Sequence, residues 1–272
     1  MTIPASRRPS REWFLLLIAL VGVAAVVLPL WQFLGGIESR EELAQKWTQQ
    51  RLTKLFLGPE QVACYVCFVW AALILQSRMR EVWRQRAAFH MDLLPTEEGA
   101  RILPEDARPL ARKVEQVTAK RPFMLANMIR LGLGKYAISK SATDVAEVVR
   151  NQADVEASRL VSGMAVVHYL AWAIPAIGFV GTVRGLGGAF GADAPSIELF
   201  TAQAKDQLKI AFDCTLIALL LSLVLMYLLN IVQRAEETLV VDAQEYCQEH
   251  LLLRLYNPEA ELAATESVRH GF

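Results

Sequence analysis

Four stretches of this chain are nearly empty of charge, and that one feature restricts its fold more than any motif does. Trp13 to Ile37 has no charged residue. Gln61 to Ser77 has none and extends through Gly58 to Glu60. Leu160 to Arg184 is interrupted before its end only by His168, and Cys214 to Gln233 follows directly on Asp213. A helix needs about 20 largely apolar residues to cross a bilayer, so each stretch is compatible with one crossing. The expected fold class is an all-α integral membrane protein with four transmembrane helices. A helical cytoplasmic domain lies between the second and third, and helices three and four extend into the cytoplasm.

Arg7, Arg8 and Arg11 precede the first stretch as they would in a signal peptide. The stretch is longer than a signal core of about 7 to 15 residues. Its tail, Trp31-Gln-Phe-Leu-Gly-Gly, also lacks a small-x-small cleavage pattern, so an uncleaved anchor is expected. Lys and Arg favour the cytoplasmic side of a membrane. The segment 78–159 holds 15 of the 28 basic residues, whereas the connections near 35–60 and 185–209 hold four and two. Both termini and the segment 78–159 are therefore predicted cytoplasmic. The expected order is a cytoplasmic N-terminus (1–12), a first transmembrane hairpin (13–77), the helical domain (78–159), a second hairpin (160–233), and a cytoplasmic helical C-terminus with a disordered end (234–272).

The 28 basic and 28 acidic side chains cancel, which excludes the basic surplus a nucleic-acid partner requires. With 4 Cys and 11 Pro in an apolar chain, disulfide scaffolds, collagen and disordered tails are excluded as well. Cys64 and Cys67 spell C-x-x-C, a redox or zinc signal in soluble proteins. Here they fall inside an apolar helix with no second pair, and we read them as small residues at a helix interface. Cys214 is likewise intramembrane, and Cys247 is a reduced cytoplasmic thiol.

Pro95, Pro104, Pro109 and Pro122 punctuate the intervening domain, and none occurs from Phe123 to Arg159. There Val145, Val148 and Val149 recur at helical spacing among Asp144, Glu147, Asp154 and Glu156. No breaker occurs from Ile210 until Pro258, so the last span is expected to leave the membrane as a long helix. Arg78, Arg80, Arg84 and Arg86 open the domain. They serve as a topology signal, and they are candidate contacts for a cytoplasmic partner.

The second hairpin is the most informative part. Gly178, Gly181 and Gly185 lie at i, i+3 and i+7, placing small residues on one helix face that a neighbouring helix can approach closely. Pro175 can kink the span. If the hairpin turns near position 198.5, residues equidistant from that point share a depth. Thr182 then matches Thr215, and Arg184 matches Asp213. A lone intramembrane charge costs about 2.5 to 3.5 kcal/mol, which favours pairing or a wet cavity. Arg184 and Asp213 are expected to form an ion pair at the outer end of the hairpin; the alternative is that both snorkel outward. His168, near the cytoplasmic end, fits an interfacial anchor, with a proton relay as the alternative.

Pro175-Ala-Ile-Gly-Phe-Val-Gly-Thr182-Val-x-Gly185 resembles the P-x-x-G-x-x-G-T-V-x-G signature of the second-last helix of the MotA/TolQ/ExbB proton channel family. Ala211-Phe-Asp-Cys-Thr215, with Asn230 fifteen residues beyond the threonine, is similar to that family's last helix. The resemblance covers residues 163 to 255. The arrangement of four spans resembles the flagellar-stator branch more than the three-span TolQ and ExbB branch.

The resemblance implies a homo-oligomer, a pentamer, in the bacterial inner membrane around a dimer of a single-span MotB/ExbD/TolR-like partner, with no cofactor. It also implies that Thr182 and Thr215 line the ion pathway beside the partner's membrane aspartate. Ion flow, of protons or sodium, would then drive mechanical work. Pro175, Gly178, Gly181, Gly185 and Asn230 are the expected helix-packing positions. Hydroxyls suit such a path because they donate to a carboxylate and accept from a passing cation without adding a charge.

The chain departs from the family pattern at three positions. Arg184 places a cation beside the proposed path, Ile210 stands where many members carry an acid, and Val224 stands where many carry a proline. Arg184 also favours a second reading, a non-conducting membrane scaffold of the same fold. Motifs of the type H-E-x-x-H, G-x-S-x-G or a P-loop do not occur, so no enzyme activity is expected.

Overall fold

The computed structural model describes residues 10–35, 58–91, 93–95, 101–118, 122–191 and 196–256, the side chains of 10–12 and 30–35 excepted. The expectations for Arg7, Arg8 and the Arg11 side chain lie outside the described residues. So do those for the absent cleavage site, the connections 36–57 and 192–195, and the C-terminal end from 257 onward.

The described chain is 89% helix without strands. In order, the helices are α1 (Ser10–Gly35), α2 (Pro59–Arg86), α3 (Ala107–Thr118), α4 (Met124–Ser139), α5 (Ala142–Ser162), α6 (Ala165–Phe190) and α7 (Ile197–His250), with short 3₁₀ turns at Ala87–His90 and Leu252–Arg254. Three helical stretches, Pro59–His90, Ala142–Phe190 and Ile197–Arg254, are long and apolar enough to cross a membrane; Trp13–Pro29 is a shorter apolar stretch. By fold, this is a helical membrane protein.

The chain divides into two compact units, one of Met1–Arg78 and Met164–Val232 and the other of Met79–Gly163 and Gln233–Phe272. The second has an apolar core that includes Leu125, Met128, Ile129, Leu133, Val145, Val149, Ala243, Cys247 and Leu251. Each fully buried large aliphatic side chain there contributes about 2 kcal/mol of transfer free energy. Val145 and Val149 take one turn of α5 into this core, as their spacing predicts, while the intervening Glu147 is exposed. Between α4 and α5 the chain turns at Lys140, whose φ of 56° is left-handed. Ser141 then caps α5, its hydroxyl accepting from the Asp144 amide at 3.4 Å.

Tyr136 closes this unit. Its side chain is fully buried, and its hydroxyl donates to the carbonyl oxygens of Tyr256 at 2.7 Å and Ile102 at 3.3 Å. Ile102 and Leu255 form an isolated parallel bridge at the same place. Burial pushes the phenol above its ordinary pKa.

In the other unit most buried residues are small or aliphatic and follow helical spacing, with Gln61 and Arg78 the buried polar exceptions among the described residues. Cys64, Ala71, Ile74 and Leu75 line one side of α2, and Val167, Leu170, Ala171, Ile174, Gly178, Gly181, Gly185 and Ala189 line one side of α6. Ala211, Cys214, Ala218, Leu225 and Leu229 do so on α7. Trp172, Phe179, Phe212, Leu223 and Tyr227 point outward and are 64 to 70% exposed within this chain. An apolar outer surface of that extent suits lipid or a neighbouring subunit.

Candidate functional site

The site grows from the way α6 and α7 approach each other. A methyl group at Gly181 would stand 2.5 Å from Cys214 Sγ. One at Gly185 would stand 2.6 Å from Ala211 Cβ and 3.0 Å from the Gln207 carbonyl oxygen, and one at Gly178 would collide with Ala218 Cβ. At these three positions the Ala218, Cys214 and Ala211 side chains of α7, joined at Gly185 by the Gln207 carbonyl, already fill the space where a Cβ would go. Gly187, on the other side of the same helix, has nothing within 4 Å.

Pro175 sits inside α6 and has no amide hydrogen to give the Ala171 carbonyl one turn earlier. That carbonyl is satisfied from α7, where Ser222 Oγ donates to it at 3.0 Å. In an apolar medium an orphaned carbonyl costs several kcal/mol, so this one bond permits proline in the span. On the α2 side, Cys64 Sγ donates to the Ile174 carbonyl at 3.6 Å. All four cysteines are free thiols, and Cys64, Cys214 and Cys247 are buried.

Between the close approaches, the Thr182 and Thr215 hydroxyls hydrogen-bond to each other. Each also lies within reach of two backbone carbonyls. Thr182 Oγ1 is 3.3 Å from both Gly178 O and Ala211 O, and Thr215 Oγ1 is 3.3 Å from Gly178 O and 3.2 Å from Ala211 O. Both side chains are half-buried. Two hydroxyls offered four acceptor contacts can redistribute their protons among them, which makes the pair a polar step on an otherwise apolar interface.

The expected Arg184–Asp213 ion pair is not formed. Arg184 Nη2 instead donates to Glu60 Oε2 of α2 at 2.9 Å, and Asp213 has no ion pair or hydrogen bond among the described residues. Depth and azimuth are separate variables. Thr182 and Thr215 face each other, and residues two positions along a helix point about 200° away, so Arg184 and Asp213 both turn off the shared face. Glu60 is in the first turn of α2, where the positive end of the helix favours a carboxylate, and its Cγ packs within 3.3 Å of the Cβ position of Gly181.

Other expected positions need correction or refinement. Asn230 is exposed rather than packed, because Leu225, Leu229 and Val232 occupy the inward face of α7 and position 230 lies off it. The arginine cluster is not one surface. Arg78 is only 4% exposed, and Arg84 is held by Glu81 at 2.9 Å, by the Pro122 carbonyl at 3.3 Å and over the Phe123 ring at 5.3 Å. Arg80 and Arg86 remain exposed. Finally, Pro175 is half-buried, and His168 is exposed on α6.

Two residues of the site escaped the sequence reading. Ser222 was findable, since a helical proline frees a carbonyl four residues earlier and the hairpin register places residue 222 level with Pro175, within a turn of that carbonyl. Glu60 gave no signal, because it comes from a helix whose rotation the sequence does not specify.

A helical membrane protein whose glycine-lined helix closes on a threonine-bearing partner helix is thus the class that the fold and site define. Residues 116–245 match the MotA/TolQ/ExbB proton channel family, and that stretch of the chain is a domain of this family. The match begins earlier than the motif resemblance at residue 163, taking in α4 and α5, and it ends within α7. Members of the family work in complexes with single-span partners. No curated protein and no solved structure matches the chain.

Proposed function

We propose that this chain is the channel-forming subunit of a motor complex that couples proton or sodium flow across the bacterial inner membrane to mechanical work. The carrying observation is the hydroxyl pair Thr182–Thr215, set on a glycine-packed helix interface within the family-matched stretch. In this reading five copies surround a dimer of a single-span partner, and the partner's membrane carboxylate takes the ion. The threonine pair faces that carboxylate, donating to it when it is charged and accepting from it when it is protonated. Four spans, both termini in the cytoplasm and the intervening domain 78–159 complete the arrangement. Of the arginine cluster, Arg80 and Arg86 are then the side chains left exposed for a cytoplasmic partner.

A second reading, a non-conducting membrane scaffold of the same fold, is favoured by one observation: the Arg184 side chain is 58% exposed. The test is ion flux through the chain reconstituted with its single-span partner in liposomes that enclose a pH-sensitive dye, with sodium flux followed in parallel. Flux in wild type that Thr182→Val and Thr215→Val abolish supports the channel. No flux of either ion under an imposed membrane potential supports the scaffold.

A further inference from the structure

We infer that Glu60 is a further residue of the ion pathway: a positioning group on the second helix that neutralises Arg184 and draws it away from the threonine pair. The inference rests on the channel reading above and adds to it a residue outside the family-matched stretch 116–245. Arg184 follows Thr182 by two residues on α6, so an unneutralised guanidinium there would repel any cation approaching the hydroxyls. The structure supplies a counter-charge from a different helix. Glu60 Oε2 accepts from Arg184 Nη2 at 2.9 Å, and the Glu60 side chain is only 13% exposed against 58% for Arg184.

Pro59 begins α2, and the Glu60 carboxylate follows in its first turn, at the positive end of the helix. Its Cγ lies 3.3 Å from where a Cβ at Gly181 would stand, immediately before Thr182, so the glycine leaves room for Glu60. A carboxylate so enclosed requires a charged or hydrogen-bonded partner, and Arg184 provides it. Glu60 thus fixes the guanidinium at one end of the pair and cancels its field at the threonines.

The experiment is the same liposome flux measurement on the reconstituted complex, with Glu60→Gln, Glu60→Asp, Arg184→Gln and the double variant Glu60→Gln/Arg184→Gln. Glu60→Gln keeps the shape and removes the charge, and flux is expected to fall about tenfold as the bare cation repels the ion. The double variant is expected to recover to within about threefold of wild type, and Glu60→Asp to lie between. A residue that only holds helices together would leave the double variant no better than Glu60→Gln, and that result overturns the inference. Wild-type flux in Glu60→Gln overturns it too. If wild type and every variant, including the threonine ones, conduct neither ion, the channel reading itself fails and this inference with it. Should Glu60→Gln fail to assemble, the swap Glu60→Arg/Arg184→Glu decides. Recovered assembly and flux support the pairing, and their absence overturns it.

Discussion

Thr182 on α6 and Thr215 on α7 share a hydrogen bond, and both reach the same two carbonyls, those of Gly178 and Ala211. Each threonine thus has one acceptor on its own helix and one on its neighbour, which makes the pair a cross-brace as well as a polar step. The two hydroxyls should therefore be energetically coupled. In a double-mutant cycle of Thr182→Val and Thr215→Val, read by thermal unfolding of the detergent-solubilised chain, the second substitution is expected to cost about 0.5 to 1 kcal/mol less than the first. Strict additivity would show that each hydroxyl is satisfied by its carbonyls alone.

The Ser222 bond to Ala171 makes a sharper case, because its acceptor has lost its usual donor to Pro175. Ser222→Ala is expected to destabilise the chain by about 1 to 2 kcal/mol. Adding Pro175→Ala, which restores an amide donor in place, should remove most of that penalty. Equal penalties in both backgrounds would show that the serine acts by some means other than the proline's orphaned carbonyl.

Glycine positions on α6 should divide by side of the helix. Gly185→Val drives a branched side chain into Ala211 and the Gln207 carbonyl, and a loss of about 1 to 3 kcal/mol or failure to assemble is expected. Gly187→Ala meets open space and should be neutral or slightly stabilising through better helix propensity. Detergent size-exclusion profiles and melting curves of the two variants check this, and a harmful Gly187→Ala would point to a surface covered only in the assembly.

Tyr136 links stability to pH. Its phenol is raised above its ordinary value near 10 chiefly by burial, so folding favours the neutral form. The stability this contributes is fully present below about pH 10 and is lost as pH climbs through the raised value. Amide exchange in the Met124–Ser139 helix, measured on the full chain in detergent, should accelerate above about pH 10 beyond the intrinsic base-catalysed rise. Tyr136→Phe should flatten that excess while costing about 1 kcal/mol at neutral pH, because the Tyr256 and Ile102 carbonyls lose their hydroxyl donor. An unchanged excess in the phenylalanine variant would assign it to another group.

Much of this protein was legible from residue order. Charge-free runs and small-residue spacing depend on one-dimensional periodicity, and so does the matching of Thr182 with Thr215, since an antiparallel hairpin converts distance from its turn directly into depth. The same arithmetic paired Arg184 with Asp213 at a common depth and failed, because a helix rotates 100° per residue and depth says nothing of direction. Only the packing of α2 against α6 could bring Glu60 to Arg184. Tertiary contact likewise split the arginine cluster, burying Arg78 and tying Arg84 to Glu81 and Phe123 while leaving Arg80 and Arg86 exposed. Sequence by itself determined which segments are apolar helices and which residues share a level. The fold decided which side chains meet, because that depends on rotation and on a third helix, and neither is written in the spacing of a single segment.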